Sequence, residues 1–149
     1  MTNVVNLLTI SAISMAKSKK YEFIEDDMAH LTSVVRDGLS YNYFSTLSDR
    51  IHIGLQEWAD YLHISERTIQ RYKKEKKSFD PIYSEKIVSI ELLYKRGVNV
   101  FGKADKFYAW MDTISIALGN VKPKDLLDTS FGINMVYTEL GRIEHGIFA

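Results

Sequence analysis

The sequence predicts an all-α protein built from two helical modules. Apolar residues recur at the spacing of a helix face, not in the alternation of a strand. Turn residues stand where those patterns stop. The two prolines, Pro81 and Pro123, each sit where they can occupy the first turn of a helix. Neither an internal repeat nor a low-complexity segment interrupts this pattern.

In chain order, residues 1–20 read as a poorly specified tail. Asp26 or Asp27 can cap a first helix that carries Met28, Leu31, Val34 and Val35, with Gly38 as its stop. A second helix carries Tyr43, Phe44, Leu47 and Ile51, and Gly54 breaks it. Leu55, Trp58, Ala59 and Leu62 line a third. His63-Ile64 makes a turn, and Ser65 caps a fourth helix reaching about Lys76. Pro81 opens a fifth, lined by Ile82, Ile87, Ile90, Leu93 and Tyr94, with Gly97 expected to end it. The module boundary is expected between Arg96 and Gly102, dividing residues 21–98 from 99–149. Beyond it come a helix from Lys103 to about Thr113, a short turn over Lys124 to Leu127, a last helix from about Phe131 to Ile143, and a tail.

Composition excludes several functions. The chain has 149 residues, enough to bury roughly 68–70% of its unfolded surface without a staple. It has no cysteine, so disulfides, thiolate metal sites and a thiol nucleophile are ruled out. This usage suits a reducing cytoplasm. Nineteen basic residues balance nineteen acidic ones, so any field that attracts an anionic partner has to be local. No apolar run approaches the roughly 20 residues that span a bilayer, and no membrane partner is expected.

Residues 55–72 have the spacing of a helix-turn-helix. Ala59 is small where two helices must approach, His63 holds the turn, Ile64 points inward and Ser65 caps. Glycine is usual at the turn because the backbone there takes positive φ, a conformation histidine tolerates better than most residues. Segment 65–77 holds six basic side chains (Arg67, Arg71, Lys73, Lys74, Lys76 and Lys77) against Glu66 and Glu75, a local charge of +4 in a neutral chain. A recognition helix presents its N-terminal residues to base edges in the major groove. The candidate DNA-contacting set is Ser65, Arg67, Thr68, Gln70, Arg71, Lys73 and Lys74. Arg67 and Gln70 are placed to read bases; Arg71, Lys73 and Lys74 are placed to hold phosphates. The plainer alternative is a solvated helix end whose cations complement the helix dipole.

The second module carries Phe101-Gly102, Trp110-Met111, Ala117-Leu118-Gly119, Lys122-Pro123, Leu126-Leu127-Asp128-Thr129, Gly132 and the closing Leu140-Gly141-Arg142-Ile143-Glu144-His145-Gly146-Ile147-Phe148-Ala149. In order and spacing these residues resemble the toxin-binding domain of the Xre/MbcA/ParS antitoxins. Ile64-Ser65 followed by Arg67-Thr68-Ile69-Gln70-Arg71 resembles the Xre-like helix-turn-helix that precedes that domain. The resemblance covers about residues 26–149. Ile114-Ser115-Ile116 and His145 depart from the family, which often has proline-rich and aromatic sequence there. The resemblance implies a type II antitoxin that partners a RES-type, NAD-consuming toxin and inserts its C-terminal segment into the toxin's NAD cleft. It also implies a homodimer that binds operator DNA, and a hetero-oligomer with the toxin.

The end of the chain points the same way on physical grounds. Gly141 and Gly146 bracket a short segment and allow turns, while Ile147 and Phe148 are apolar at a free end. Apolar anchors ringed by polar groups suit a bound segment. The candidate toxin-binding set is Trp110, Arg142, Glu144, His145, Gly146, Ile147, Phe148 and Ala149. The alternative is that Ile147 and Phe148 fold back on their own helices.

The remaining constellations are weak. Four scattered histidines lack the spacing of a zinc protease, and Gly141-x4-Gly146 lacks the lysine of a phosphate loop. Asp125 and Asp128 favour a helix N-terminus over a catalytic pair. Tyr41, Tyr43, Phe44, Trp58 and Trp110 suit core packing, although Tyr41, Tyr43 and Phe44 could also form a dimer patch. No catalytic set, cofactor or metal is expected. The rival reading is a free-standing helix-turn-helix transcription regulator.

Overall fold

The computed structural model describes residues 24–146, and side chains from residue 28. The expected tail at 1–20 and the residues Ile147, Phe148 and Ala149 lie outside the described residues. Seven α-helices follow in order: α1 (Ile24–Asp37), α2 (Tyr41–Ile51), α3 (Leu55–Leu62), α4 (Glu66–Glu75), α5 (Pro81–Phe101), α6 (Ala104–Met111) and α7 (Ser130–Glu144). A 3₁₀ turn at Pro123–Leu126 precedes α7. Among the described residues there is no strand, only isolated bridges at Ser40–Ser78 and Ser115–Val121. None of these helices is long and apolar enough to cross a membrane.

Local chemistry sets the boundaries. Asp26 and Asp27 fall inside α1 and not at its cap. Gly38 ends α1 at φ +86°, as the sequence indicates. Ser40 caps α2 by accepting from the Tyr43 amide. Pro81 fills the first turn of α5, where its missing N–H costs nothing.

The expected stop at Gly97 is wrong. α5 passes through it for a further turn and ends at Gly102, which takes φ +77°. Gly97 serves a different purpose. A Cβ there would lie 2.1 Å from the Phe107 ring, so glycine lets α6 press against α5. The boundary expected at 98/99 therefore falls within one continuous helix. Gly132 does the same for α7, where a Cβ would stand 1.8 Å from the Leu126 carbonyl oxygen.

One apolar core runs through both halves. Phe44, Leu47, Trp58, Ile69, Tyr72 and Phe79 fill the first, and Leu93, Phe107, Met111, Leu127, Val136 and Leu140 fill the second. α5 supplies Ile87, Ile90 and Leu93 to the space between. Ile82, expected on this face, is instead 72% exposed at the first turn. Tyr43 and Phe44 are buried and Tyr41 half-buried, so their main role is packing.

Glu91 is the buried charge of the core. The Tyr43 hydroxyl donates its one proton to this carboxylate, lying 2.6 Å from both oxygens, and Oε1 also meets Arg50 at 2.8 Å and Lys95 at 3.4 Å. A buried carboxylate needs this many partners to offset its desolvation. Burial, with Glu91 next, pushes the Tyr43 hydroxyl well above its ordinary pKa.

Candidate functional site

The helix-turn-helix forms as its spacing predicts. Ala59 is buried, and its carbonyl accepts from the Ile64 amide across the turn at 3.1 Å. His63 takes φ +55°, the left-handed conformation expected of this position. Ile64 is half-buried. Ser65 caps α4 by accepting from the Thr68 amide at 3.0 Å, and its hydroxyl lies 2.9 Å from that of Thr68. Both hydroxyls are thus occupied at the helix start.

Ile69 and Tyr72 hold α4 to the core, with the Tyr72 ring stacked on Phe79 at 4.8 Å between centroids. At about 100° per residue, Arg67, Gln70, Arg71 and Lys74 then share the opposite side, with Lys73 on its flank. All five are exposed. Among the described residues none of these four cations forms an ion pair, whereas Arg50, Lys95, Arg96, Lys122, Lys124 and Arg142 all do. Lys77 leans over the Tyr72 ring at 5.7 Å. The fold leaves one helix face basic, uncompensated and free of packing duties, as a polyanion-binding surface requires.

The second half is fastened to the turn of this motif. The carbonyl oxygen of Asp128, just before α7, accepts from His63 Nε2 at 2.7 Å and from Lys86 Nζ at 2.8 Å. Lys124 adds a second link, 2.9 Å from Asp112 and 3.6 Å from Glu57 on α3. Hydrogen bonds from Lys124 and Lys122 hold the exposed Asp112 carboxyl below its usual pKa. Sequence reasoning missed both links. A backbone acceptor carries no side-chain signature, and the pairs are too distant along the chain to be read as spacing.

The candidate tail set divides three ways. Trp110 is half-buried and packs on Phe101 and Phe107, which makes it largely structural. Glu144 is pinned to α5 by Arg96 at 2.5 Å. Arg142 and His145 are exposed, and the one pairing of Arg142, to Glu139, is long at 3.7 Å. Gly141 is helical, inside the last helix expected to reach about Ile143, and does not make the turn its glycine allows. Gly146 does turn, at φ +68°. Thr129, not Asp128, caps α7.

A basic recognition helix in an α-helical bundle is the mark of a helix-turn-helix protein, here fused to a second helical module. Residues 30–90 match the antitoxin Xre-like helix-turn-helix domain, and residues 96–146 match the antitoxin Xre/MbcA/ParS C-terminal toxin-binding domain. The chain is 32% identical over 127 residues to Antitoxin Xre of Photorhabdus laumondii, covering 79% of this chain and 80% of that one. It is 29% identical over 126 residues to Antitoxin Xre of Yersinia enterocolitica, covering 78% and 82%. The protein belongs to the Xre family of antitoxins, with a helix-turn-helix domain and a toxin-binding domain.

Proposed function

We propose that this antitoxin neutralises a RES-type toxin that consumes NAD, and that it represses its own operon by binding operator DNA as a homodimer. The observation that carries the reading is the pairing of an uncompensated basic helix with a toxin-binding domain in one packed core. In this reading Arg67, Gln70, Arg71, Lys73 and Lys74 face the DNA, with Ser65 and Thr68 setting the helix start. Gly146 to Ala149 enter the toxin's NAD cleft, where Ile147 and Phe148 are apolar anchors. Arg142 and His145 border the entry, and Trp110 and Glu144 stiffen its base. The antitoxin itself performs no chemistry. It acts by occupancy, in the cytoplasm where DNA and toxin meet, and toxin and antitoxin form a hetero-oligomer.

The test is co-expression with the product of the neighbouring reading frame. The full chain should restore growth and preserve cellular NAD. A chain ending at His145 should lose both effects while keeping its helical circular-dichroism spectrum and its DNA binding. Undiminished rescue by the shortened chain would remove the plug from the account.

A further inference from the structure

The toxin-binding domain holds most of the large apolar side chains that the described fold leaves outside its core. Phe131 is 85% exposed and Met135 45%, and Ile114, Ile116 and Tyr137 are exposed as well. Outside this domain only Met28 and Ile82 share that state among the described residues. Isolated exposed apolar residues are ordinary; a set on one element is not.

Phe131 and Met135 lie on α7, whose packing is settled. Gly132, Val136 and Leu140 face the core. At 3.6 residues per turn, Phe131, Met135, Thr138 and Arg142 fall within about 60° of one another on the side turned away. All four are exposed. The side therefore forms a ridge, aromatic and thioether at its start, polar at Thr138 and cationic at Arg142. It runs along the helix to Arg142, close to the C-terminal end of α7 at Glu144.

Other features of α7 keep this ridge stiff. Gly132 seats its first turn on the Leu126 carbonyl, the Asp128 carbonyl anchors its approach, and Arg96 grips Glu144 at its far end. A rigid helix presenting apolar anchors loses little freedom on binding.

We propose that the Phe131–Met135–Thr138–Arg142 ridge of α7 is a second toxin-docking surface, which fits an apolar groove ending in an acidic group beside the toxin's active-site mouth. The proposal rests on the toxin-binding reading of this domain. Its particular support is that the ridge lies within the toxin-binding domain, on the helix that immediately precedes in sequence the segment proposed to enter the toxin. The ridge holds the antitoxin on the toxin, and the tail closes the cleft.

Binding of the purified product of the neighbouring reading frame, measured by calorimetry, tests this. Phe131→Ala with Met135→Ala should weaken binding at least about 30-fold, because buried interface anchors dominate affinity. Both substitutions are at exposed helix positions, so the melting temperature should hold. Arg142→Ala should reduce the salt dependence of binding, and Ile82→Ala, equally exposed on the first module, should bind as wild type. Wild-type affinity for the double variant with loss in the chain ending at His145 overturns the ridge and leaves the plug. The reverse result overturns the plug and leaves the ridge. An equal loss in Ile82→Ala overturns the assignment to α7. A wild-type dimer that the double variant converts to monomer identifies the occupant as a second copy, and the proposal then fails.

Discussion

Arg67 and Arg71 stand one turn apart on the outward side of α4, with no acidic partner among the described residues. Like charges at this spacing cost a helix about 0.2–0.5 kcal/mol. Folding alone therefore favours their removal. Arg67→Ala with Arg71→Ala should leave thermal stability unchanged or slightly raised. The same variant should bind the DNA upstream of its reading frame more weakly, by about 1–3 kcal/mol for a lost base contact. The slope of affinity against salt should flatten as phosphate contacts are lost. A gel shift at several salt concentrations, beside a melting curve, separates the two effects. Unchanged affinity and slope would assign DNA binding to another surface. These positions were legible from sequence because exposure and charge coincide on a helix whose buried face, Ile69 and Tyr72, is easy to recognise. The buried network of Glu91 was not legible, since its partners Tyr43 and Arg50 lie more than forty residues away along the chain.

At the scale of the element, the turn between α3 and α4 holds two demands on one side chain. His63 adopts a left-handed backbone and also donates to Asp128. Only the first demand could be read from the helix-turn-helix spacing. His63→Ala should destabilise the protein by about 0.5–1.5 kcal/mol through the lost hydrogen bond, since the wild-type histidine already carries the left-handed backbone. His63→Gly loses the bond but relieves the backbone, so its melting temperature should lie closer to wild type. Equal melting temperatures for the two variants would refute this division. Helix ends were read well at Gly38, Ser65 and Pro81, where a cap or a break acts locally, though not at Asp26 and Asp27, which fall inside α1. The end of α5 was misread at Gly97, where the deciding contact is with Phe107 of another helix. A glycine that stops a helix and a glycine that admits a neighbour look alike in sequence.

For the whole molecule, three tyrosines bear on pH. Tyr43, Tyr61 and Tyr94 are buried, and in each the loss of hydration is the main reason its pKa rises above 10.0. In the unfolded chain they ionise near 10.0, whereas the native fold keeps them protonated. Their contribution is complete below pH 10 and falls as pH rises above it, because the unfolded state then binds fewer protons. Alkaline titration should show tyrosinate absorbance from these residues appearing together with loss of helical ellipticity. Ionisation of all tyrosines with ellipticity intact would contradict their burial. The all-helical class and the order of the two modules were legible from periodicity and breaks. Their fusion through α5 was not, because it depends on packing between Phe107, Leu140 and the helix that runs beneath both.

That shared helix has an evolutionary consequence. Relatives exchanging toxin specificity by recombination could not cross over at residue 98, where each half of α5 would meet a foreign neighbour. A viable chimera has to keep α5 whole and match it to its neighbours on both sides, Tyr43 and Arg50 around Glu91 and Phe107 against Gly97. Even then position 63 of one parent must supply a donor to the backbone carbonyl at position 128 of the other.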